Sequence, residues 1–177
     1  MGDRRGIRSG SFFRTIEPLQ LFTQHLADGL IATDGIQRSS VATVGTAPVT
    51  VFSKLIDPGF DLALKEIEIS LTQRFDNLLA TSVGSLFYYW QMRREALEGT
   101  VGAWVNITGT YSKGVPTSGV SGDPSEDTFS GYVPVGSIPD APLRLQLIAT
   151  AIVAASFAAD VKNSSYIKLV GSVIPGS

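Results

Sequence analysis

After residue 48, apolar and polar residues alternate with a period of two through most of the chain, which is the pattern of strands with one buried face. The longest such run extends from Leu143 to Val161, where every second residue is apolar over 19 positions. Because strands are rarely longer than about ten residues, this run predicts either one bent strand or two strands joined at a kink near Thr150.

The alternation changes phase between Leu64 and Ile67, where the apolar residues move from even to odd positions. One extra residue in the strand would restore the pattern, because a bulge shifts the side chains that follow it to the opposite face. We therefore predict a β-bulge near Lys65 and Glu66.

The segment from Leu86 to Arg94 carries aromatic residues on both faces of its strand. A strand with one face in water would alternate apolar with polar residues, so we expect this strand to be covered on both sides. A central position in the core and a position at a subunit interface explain the pattern equally well. The residues concerned are Phe87, Tyr88, Tyr89 and Trp90.

Residues 15–30 show a different spacing, with apolar residues three and four positions apart, which predicts one short α-helix. Residues 31–47 are rich in Thr, Ser, Gly and Ala and are predicted to form a linker. The chain is thus divided into residues 1–47, with an arm, the helix and the linker, and a β-domain of residues 48–177. The apolar stripe of the helix consists of Ile16, Leu19, Phe22, Leu26 and Leu30.

The β-domain is predicted to contain seven or eight strands that are separated by polar turns, with no helices between them. This order is typical of an all-β fold in which antiparallel sheets pack as a sandwich. Since a jelly roll has eight strands, we predict an antiparallel β-sandwich, a jelly roll of about eight strands, preceded by an N-terminal arm and one short α-helix.

The composition removes several classes of function. The chain has 177 residues, of which 17% are charged, with no cysteine and one histidine. It therefore has no disulfides and no thiolate or histidine-rich metal site, and we expect neither a metal nor another cofactor. Its longest apolar run is shorter than the roughly 20 residues of a membrane helix, so no membrane span is expected.

Few residues are candidates for catalysis, and we expect the protein not to be an enzyme. One pair matches the spacing of a serine hydrolase motif, but the companion motifs are absent. Two glutamates share a strand face, as in a glycosidase, although an exposed polar face explains them more simply. These candidates are Ser165 with Lys168, and Glu66, Glu68 and His25 for a hydrolase.

Residues 1–14 form a basic arm, in which four arginines and Asp3 give a charge of +3 within a chain of net charge −2, so that the rest carries −5. This arm is explained as a disordered tail, as a segment that docks on a neighbouring subunit, or as a nucleic-acid contact. We favour docking, because two adjacent phenylalanines suit a protein groove, and the acidic remainder makes a genome contact the weaker alternative. The predicted interface residues are Arg4, Arg5, Arg8, Phe12, Phe13, Arg14, Ile16 and Leu19.

An arginine-containing arm, a short helix and about eight strands ending almost at the C-terminus resemble single jelly-roll virion proteins. This resemblance of architecture covers the whole chain. It implies a capsid or capsid-decorating subunit of a virion, with copies of itself and other virion proteins as partners. The alternative from the residues is a glycan- or receptor-binding module of a tail or fibre, in which Trp104 and Tyr111 would stack on the ligand.

Overall fold

The computed structural model describes residues 19–26, 36–44, 46–77, 84–95, 101–115, 125–152, 155–162 and 164–174. The whole predicted arm, residues 1–14, lies outside these residues, as do the first and last parts of the predicted helix. The predicted interface residues that lie outside are Arg4, Arg5, Arg8, Phe12, Phe13, Arg14 and Ile16.

The described residues form twelve strands and one short 3-10 helix, Val135–Ser137. The strands are β1 (Gln20–His25), β2 (Ile36–Val44), β3 (Val49–Ile56), β4 (Leu62–Asn77), β5 (Gly84–Arg94), β6 (Val105–Asn106), β7 (Tyr111–Val115), β8 (Ser125–Val133), β9 (Asp140–Ala141), β10 (Leu143–Ala151), β11 (Ala155–Lys162) and β12 (Tyr166–Val173).

The strands make two antiparallel sheets. The first sheet has the order β1–β12–β4–β8, and it is extended by β11 and β2, with the short β9 also paired to β4. The second sheet has the order β3–β10–β5, and both β6 and β7 pair with β5. The two strands before residue 48 are thus part of the first sheet.

Several of the twelve strands are halves of interrupted strands. Strands β11 and β12 pair with successive parts of β4, and β2 and β1 continue this arrangement by pairing with β11 and β12. If β1 and β2 are counted as one strand, β11 and β12 as a second, and β6 and β7 as a third, each sheet has four principal strands. The predicted antiparallel β-sandwich with about eight jelly-roll strands is therefore confirmed.

The core lies between the two sheets and is formed by the alternate side chains that point inward from each strand. The two aromatic residues of β5 at its centre, Tyr88 and Trp90, are each 1% exposed. Phe75 of β4 packs against Tyr88, and Phe52 of β3 packs against Trp90. This core explains the period of two in the sequence, since buried residues occupy every second position of β4 and of β10.

The predicted helix is wrong where the structure describes it, because Gln20–His25 form strand β1. The six residues pair in register with β12, and their side chains alternate between half-buried and exposed. In a short edge strand, apolar residues three and four positions apart also occur by chance. Pairing with a neighbouring strand overrides such a weak local preference for helix. Part of the predicted linker is likewise a strand, β2.

The predicted bulge is confirmed. Val170 of β12 pairs with Glu66 and the next residue, Gly171, pairs with Leu64, so that Lys65 is the extra residue. The two backbones approach closely at this point, and a Cβ atom on Gly171 would lie 2.4 Å from the carbonyl oxygen of Ala63. Glycine is therefore required on the strand opposite the bulge.

The long alternating run of residues 143–161 forms two strands that belong to different sheets. Strand β10 lies in the second sheet between β3 and β5, whereas β11 lies in the first sheet between β4 and β2. The predicted break near Thr150 is thus the place where the chain passes from one sheet to the other.

Candidate functional site

A small pocket opens at one side of the sandwich, where strand β7 of the second sheet faces strand β8 of the first. Its volume is about 90 Å³. Ligand pockets for whole small molecules usually have volumes of about 300 Å³ or more, so this pocket has room for a single chemical group. The residues that line it are Gln73, Tyr88, Tyr111, Asp127, Thr128 and Phe129.

A chain of hydrogen bonds connects the core to the pocket. The indole Nε1 of Trp90 donates to Oε1 of Gln73 over 2.9 Å, and the Gln73 side chain also hydrogen-bonds the Tyr88 phenol. The Tyr88 hydroxyl in turn donates to the carboxylate of Asp127. These bonds satisfy three polar groups in an apolar interior and link the two sheets, since β5 lies in one sheet and β4 and β8 lie in the other.

The electrostatics of the pocket keep this arrangement in one protonation state. Burial of Tyr88 and its hydrogen bond to Asp127 both raise the pKa of its phenol well above the ordinary value. The phenol therefore remains a neutral hydrogen-bond donor at physiological pH.

Tyr111 provides the exposed wall of the pocket. Its ring stacks on the ring of Tyr88 with a centroid distance of 5.5 Å and an interplanar angle of 26°. Tyr111 is 40% exposed, whereas Tyr88 is buried. The predicted stacking residue Tyr111 thus presents an aromatic surface beside a carboxylate.

The second predicted stacking residue, Trp104, belongs to another cluster further along β5. The guanidinium of Arg93 lies 4.5 Å from the centre of the Trp104 ring, and Nε of Arg93 is 3.1 Å from the Glu95 carboxylate. Arg144 binds the same carboxylate at 3.2 Å. Burial acts to raise the pKa of Glu95, but the hydrogen bonds from both arginines outweigh it, and the pKa is lower than usual. Trp104 and Tyr111 therefore do not form a joint binding site.

The outward side of the aromatic strand is only partly covered. Phe87 is 40% exposed and Tyr89 is half-buried, while Tyr88 and Trp90 lie in the core. The core explanation thus holds for the inward residues, and an interface at Phe87 and Tyr89 stays a prediction.

An exposed apolar pair lies at the first residues of the edge strand β1. Leu19 is 59% exposed and Leu21 is 64% exposed. Leu21 pairs with Val170 of β12, which is half-buried. Leu19 was predicted at an interface, and its side chain is accessible to a partner.

Ser165 and Lys168, which match the serine hydrolase spacing, do not converge. Oγ of Ser165 is buried and accepts from the backbone N–H of Thr72, and it also donates to the carbonyl of Thr72, so it replaces missing strand pairing. Lys168 instead binds Glu68 at 2.8 Å, and this bond, together with one from Tyr166, lowers the pKa of Glu68. The serine hydrolase spacing is thus explained by two separate structural roles.

Within the described part of the chain, no group of three or more histidine, aspartate or glutamate side chains is placed to hold a metal ion. Among the same residues, no helix has the length and apolar character needed to cross a membrane.

Sequence reasoning missed Gln73 and the role of Asp127. Gln73 has the same parity as the buried Leu71 and Phe75, so an amide at a core-facing position was the available signal. Asp127 follows a segment rich in Gly, Pro and Ser, which is the sequence context of a loop, but it lies in β8 and pairs with Gln73 in register.

No model of a protein family matches the sequence, and no curated protein sequence is significantly similar to it. Among solved structures, the chain is similar to VP2 of infectious bursal disease virus in a subviral particle (TM-score 0.47, 14% identity, 87% of this chain and 33% of that chain). It is also similar to the T13 particle of that virus (TM-score 0.48, 15% identity, 88% and 37%). A third similar structure is the Eiger TNF of S. frugiperda (TM-score 0.40, 10% identity, 91% and 99%).

The chain spans about a third of the length of the viral chains that it matches. Identities of this size concern the fold and assign no function, so the function depends on the residues of this chain.

Proposed function

We propose that the chain is a structural virion protein, a capsid or capsid-decorating subunit, which self-assembles through its β-sandwich and its N-terminal arm. The observation that carries this proposal is the exposed apolar pair at the edge strand β1. Leu19 and Leu21 are each more than half exposed, although the sandwich already has a well-filled core. Leu19 follows the last residue of the arm, Arg14, by five positions in the sequence, so the arm and the leucines would form one contact with a neighbour.

The energetics favour a partner at this surface. Burying a leucine side chain that would otherwise be exposed stabilises a complex by about 1.5–3 kcal/mol. Two leucines beside the half-buried Val170 would form the apolar centre of an interface. The low fraction of charged residues, 17%, supports the proposal because it limits repulsion between packed copies.

A structural role is also consistent with how the polar residues are used. Several ionisable groups in the described residues have structural partners: Glu68 pairs across strands with Lys168, and Asp127 binds Tyr88 of the other sheet. Catalysis needs several titratable groups that converge on one cleft. We therefore propose a virion protein without enzymatic activity, whose partners are copies of itself and other virion proteins, with nucleic acid as the weaker candidate.

The alternative, a glycan-binding module, has less support. Aromatic rings and a carboxylate do meet at Tyr111 and Asp127, but the pocket of about 90 Å³ accepts one group rather than a sugar ring. Trp104 is engaged by Arg93 of the same chain. A glycan array would favour this alternative only if binding were lost on Trp104→Ala or Tyr111→Ala.

The test is the assembly state of the full chain at tens of micromolar, measured by light scattering and by electron microscopy. We expect closed oligomers or particles for the unaltered chain. The double substitution Leu19→Ser and Leu21→Ser should weaken association at least tenfold, which corresponds to about 1.4 kcal/mol. The thermal unfolding of the dissociated variant should remain cooperative, because neither leucine belongs to the core.

Ile152→Ser is the matched control, since Ile152 is 51% exposed but lies after β10, away from the edge strand β1. This variant should assemble like the unaltered chain. A strictly monomeric unaltered chain would contradict the proposal, and equal weakening by both substitutions would remove the special role of β1.

A further inference from the structure

Strand β1 has an open edge in the first sheet. Among the described strands it pairs only with β12, so no described strand covers its other side. Such an edge presents backbone N–H and C=O groups, and a strand of another chain can bind them. The conformation of β1 is fixed from its inner side, because Phe22 packs against the core. A partner would therefore meet a preformed edge and pay little to order it.

The hydrogen bonds of β1 show which of its backbone groups face the open edge. The N–H of Leu26 donates to the carbonyl of Ser165 over 2.9 Å, which continues the register of β1 with β12. In antiparallel pairing, residues that bond the neighbouring strand alternate with residues that do not. The even-numbered residues therefore bond β12, and the odd-numbered residues direct their N–H and C=O groups to the open side. The latter are Leu19, Leu21, Thr23 and His25.

Strand β1 lacks the features that usually keep edge strands from pairing. Natural edges are protected by charged side chains, by prolines or by bulges. The six residues of β1 include no lysine, arginine, aspartate, glutamate or proline, and their register with β12 is regular. Strand β8, which also pairs within this sheet only with β4, instead carries Glu126 and Asp127. The sequence of β1 is thus that of a strand that accepts a partner.

We propose that β1 pairs with β1 of a second copy in antiparallel orientation, so that the first sheets of the two copies form one continuous sheet. This inference rests on the proposed self-assembly and specifies its contact at β1. A two-fold axis at Leu21 would place Leu21 opposite its counterpart and Leu19 opposite Thr23 of the second copy. Antiparallel pairing also directs the residues that precede β1 towards the second copy, on which the arm is proposed to dock.

The second copy is the occupant because β1 matches itself. In this register odd-numbered residues face odd-numbered residues, so the outward N–H and C=O groups would form about six hydrogen bonds across the contact. Leu19 and Leu21, which are 59% and 64% exposed, would cover each other diagonally and Leu21 would also meet its counterpart directly. No like charges are brought together, since β1 has no charged residue of the lysine, arginine, aspartate or glutamate type. Contacts of this two-fold kind are the commonest in oligomers.

The first experiment uses the absence of cysteine from the chain. A single cysteine replaces Leu21 or Thr23 in the full chain, and disulfide-linked dimers are measured under mild oxidation. Two copies of Leu21 would have Cα atoms about 5.5 Å apart, within the range of a disulfide, whereas two copies of Thr23 would be about 13 Å apart. We expect Leu21→Cys to cross-link at least about tenfold faster than Thr23→Cys.

Thr23 is the matched position because it is exposed and lies on the same face of β1 as Leu21. Equal rates at the two positions would show random collision. Equal rates, or no cross-link at Leu21, would overturn the proposed pairing.

The second experiment removes one outward N–H group. Thr23→Pro deletes a donor that faces the second copy, and edge strands accept proline where the N–H does not bond within the sheet. We expect association to weaken at least about tenfold in sedimentation, with cooperative unfolding retained. Thr23→Val is the control, because it keeps the N–H group and the shape of the side chain. Equal association of the two variants would contradict backbone pairing.

Hydrogen exchange identifies what covers the edge and needs no substitution. In the assembled protein the amides of Leu21 and Thr23 should exchange at least about tenfold more slowly than in copies dissociated by dilution. The amides of Phe22 and Gln24, which face β12, should be protected in both states. Unprotected Leu21 and Thr23 in the assembly would overturn the pairing. Their protection in a monomer would show that the chain covers its own edge, which overturns the second copy as occupant.

The failures of the two proposals are distinguishable. If the chain assembles without the Leu21 cross-link and without protection of the outward amides, the pairing of β1 is wrong and self-assembly stands. If the chain remains a dimer linked through β1 that neither forms nor joins a particle, the pairing stands and the structural virion role is overturned. A strictly monomeric chain overturns both.

Discussion

A few buried polar side chains determine how the two sheets are joined. The bonds from Trp90 through Gln73 and Tyr88 to Asp127 cross from the second sheet to the first. In an apolar interior each of these groups would be costly without its partner. These hydrogen bonds therefore stabilise the packing of the two sheets and also favour one particular packing over others.

Replacing Tyr88 by phenylalanine tests this role at the level of one atom. The ring would still pack against Phe75, but Asp127 would lose a donor and Gln73 a partner. Hydrogen bonds to charged groups contribute about 1.5–3 kcal/mol, and we expect the free energy of unfolding in urea to fall by a similar amount. In an alkaline absorbance titration, the tyrosine with the highest pKa should disappear, because the pKa of Tyr88 is raised.

Tyr166→Phe is the control for this substitution. Its hydroxyl donates to Glu68 over 2.9 Å on the outer face of the sheet, where water replaces a lost bond at little cost. The loss of stability should be clearly smaller. Equal losses for the two variants would show that burial of the Tyr88 bond has no special effect.

Sequence patterns predicted part of this site. The alternation along β5 placed Tyr88 and Trp90 on one face, as the structure has them. It could not pair them with Gln73 and Asp127, because those residues are brought close only by the packing of β4 and β8 against the other sheet. Such pairings join residues far apart in the sequence, and a periodic pattern contains no information on them.

At the level of whole strands, departures from regular pairing have identifiable causes. Lys65 is the extra residue of the bulge, and Ser165 uses its hydroxyl to bond the backbone of Thr72 where β11 and β12 are interrupted. The bulge was predictable because it reverses the phase of the hydrophobic pattern. The strand β1 was not, because Leu19, Phe22 and Leu26 follow the spacing of a helix and only pairing with β12 determines the conformation of this segment.

Gly171→Ala should destabilise the strand pairing at the bulge. The added Cβ would lie 2.4 Å from the Ala63 carbonyl oxygen, so the backbone of β4 or β12 would have to move. Overpacked positions usually cost about 1–3 kcal/mol, and we expect a loss of this size in urea unfolding. Gly109→Ala is the control, because a Cβ there meets no atom within 4 Å.

The control also separates the effect of the substitution on the folded state from its effect on the unfolded state. Both substitutions reduce the conformational freedom of the unfolded chain, which by itself stabilises a protein by about 0.4–1 kcal/mol. Gly109→Ala should therefore be neutral or slightly stabilising. If Gly171→Ala behaved in the same way, the two backbones would not be in the close contact described at the bulge.

For the whole molecule, the proposed assembly would combine two kinds of contact. One is the apolar contact of Leu19 and Leu21 at the edge strand β1, and the other is a contact of the arginines of the arm, residues 1–14, with the acidic remainder of a neighbour. The first contact depends on burial of apolar surface, and the second depends on opposite charges. Salt distinguishes them, because it screens charges and leaves apolar burial intact.

We expect assembly to weaken, without being abolished, when the salt concentration is raised from about 0.1 M to about 1 M, since the screening length falls from about 10 Å to about 3 Å. A variant without the arm arginines should associate more weakly at low salt and should lose most of this salt dependence, because its remaining contact is apolar. Sedimentation at matched protein concentrations measures both effects. If association of the two proteins depended equally on salt, the charge effect would come from the surface of the sandwich. The arginines of the arm would then make no contribution to it.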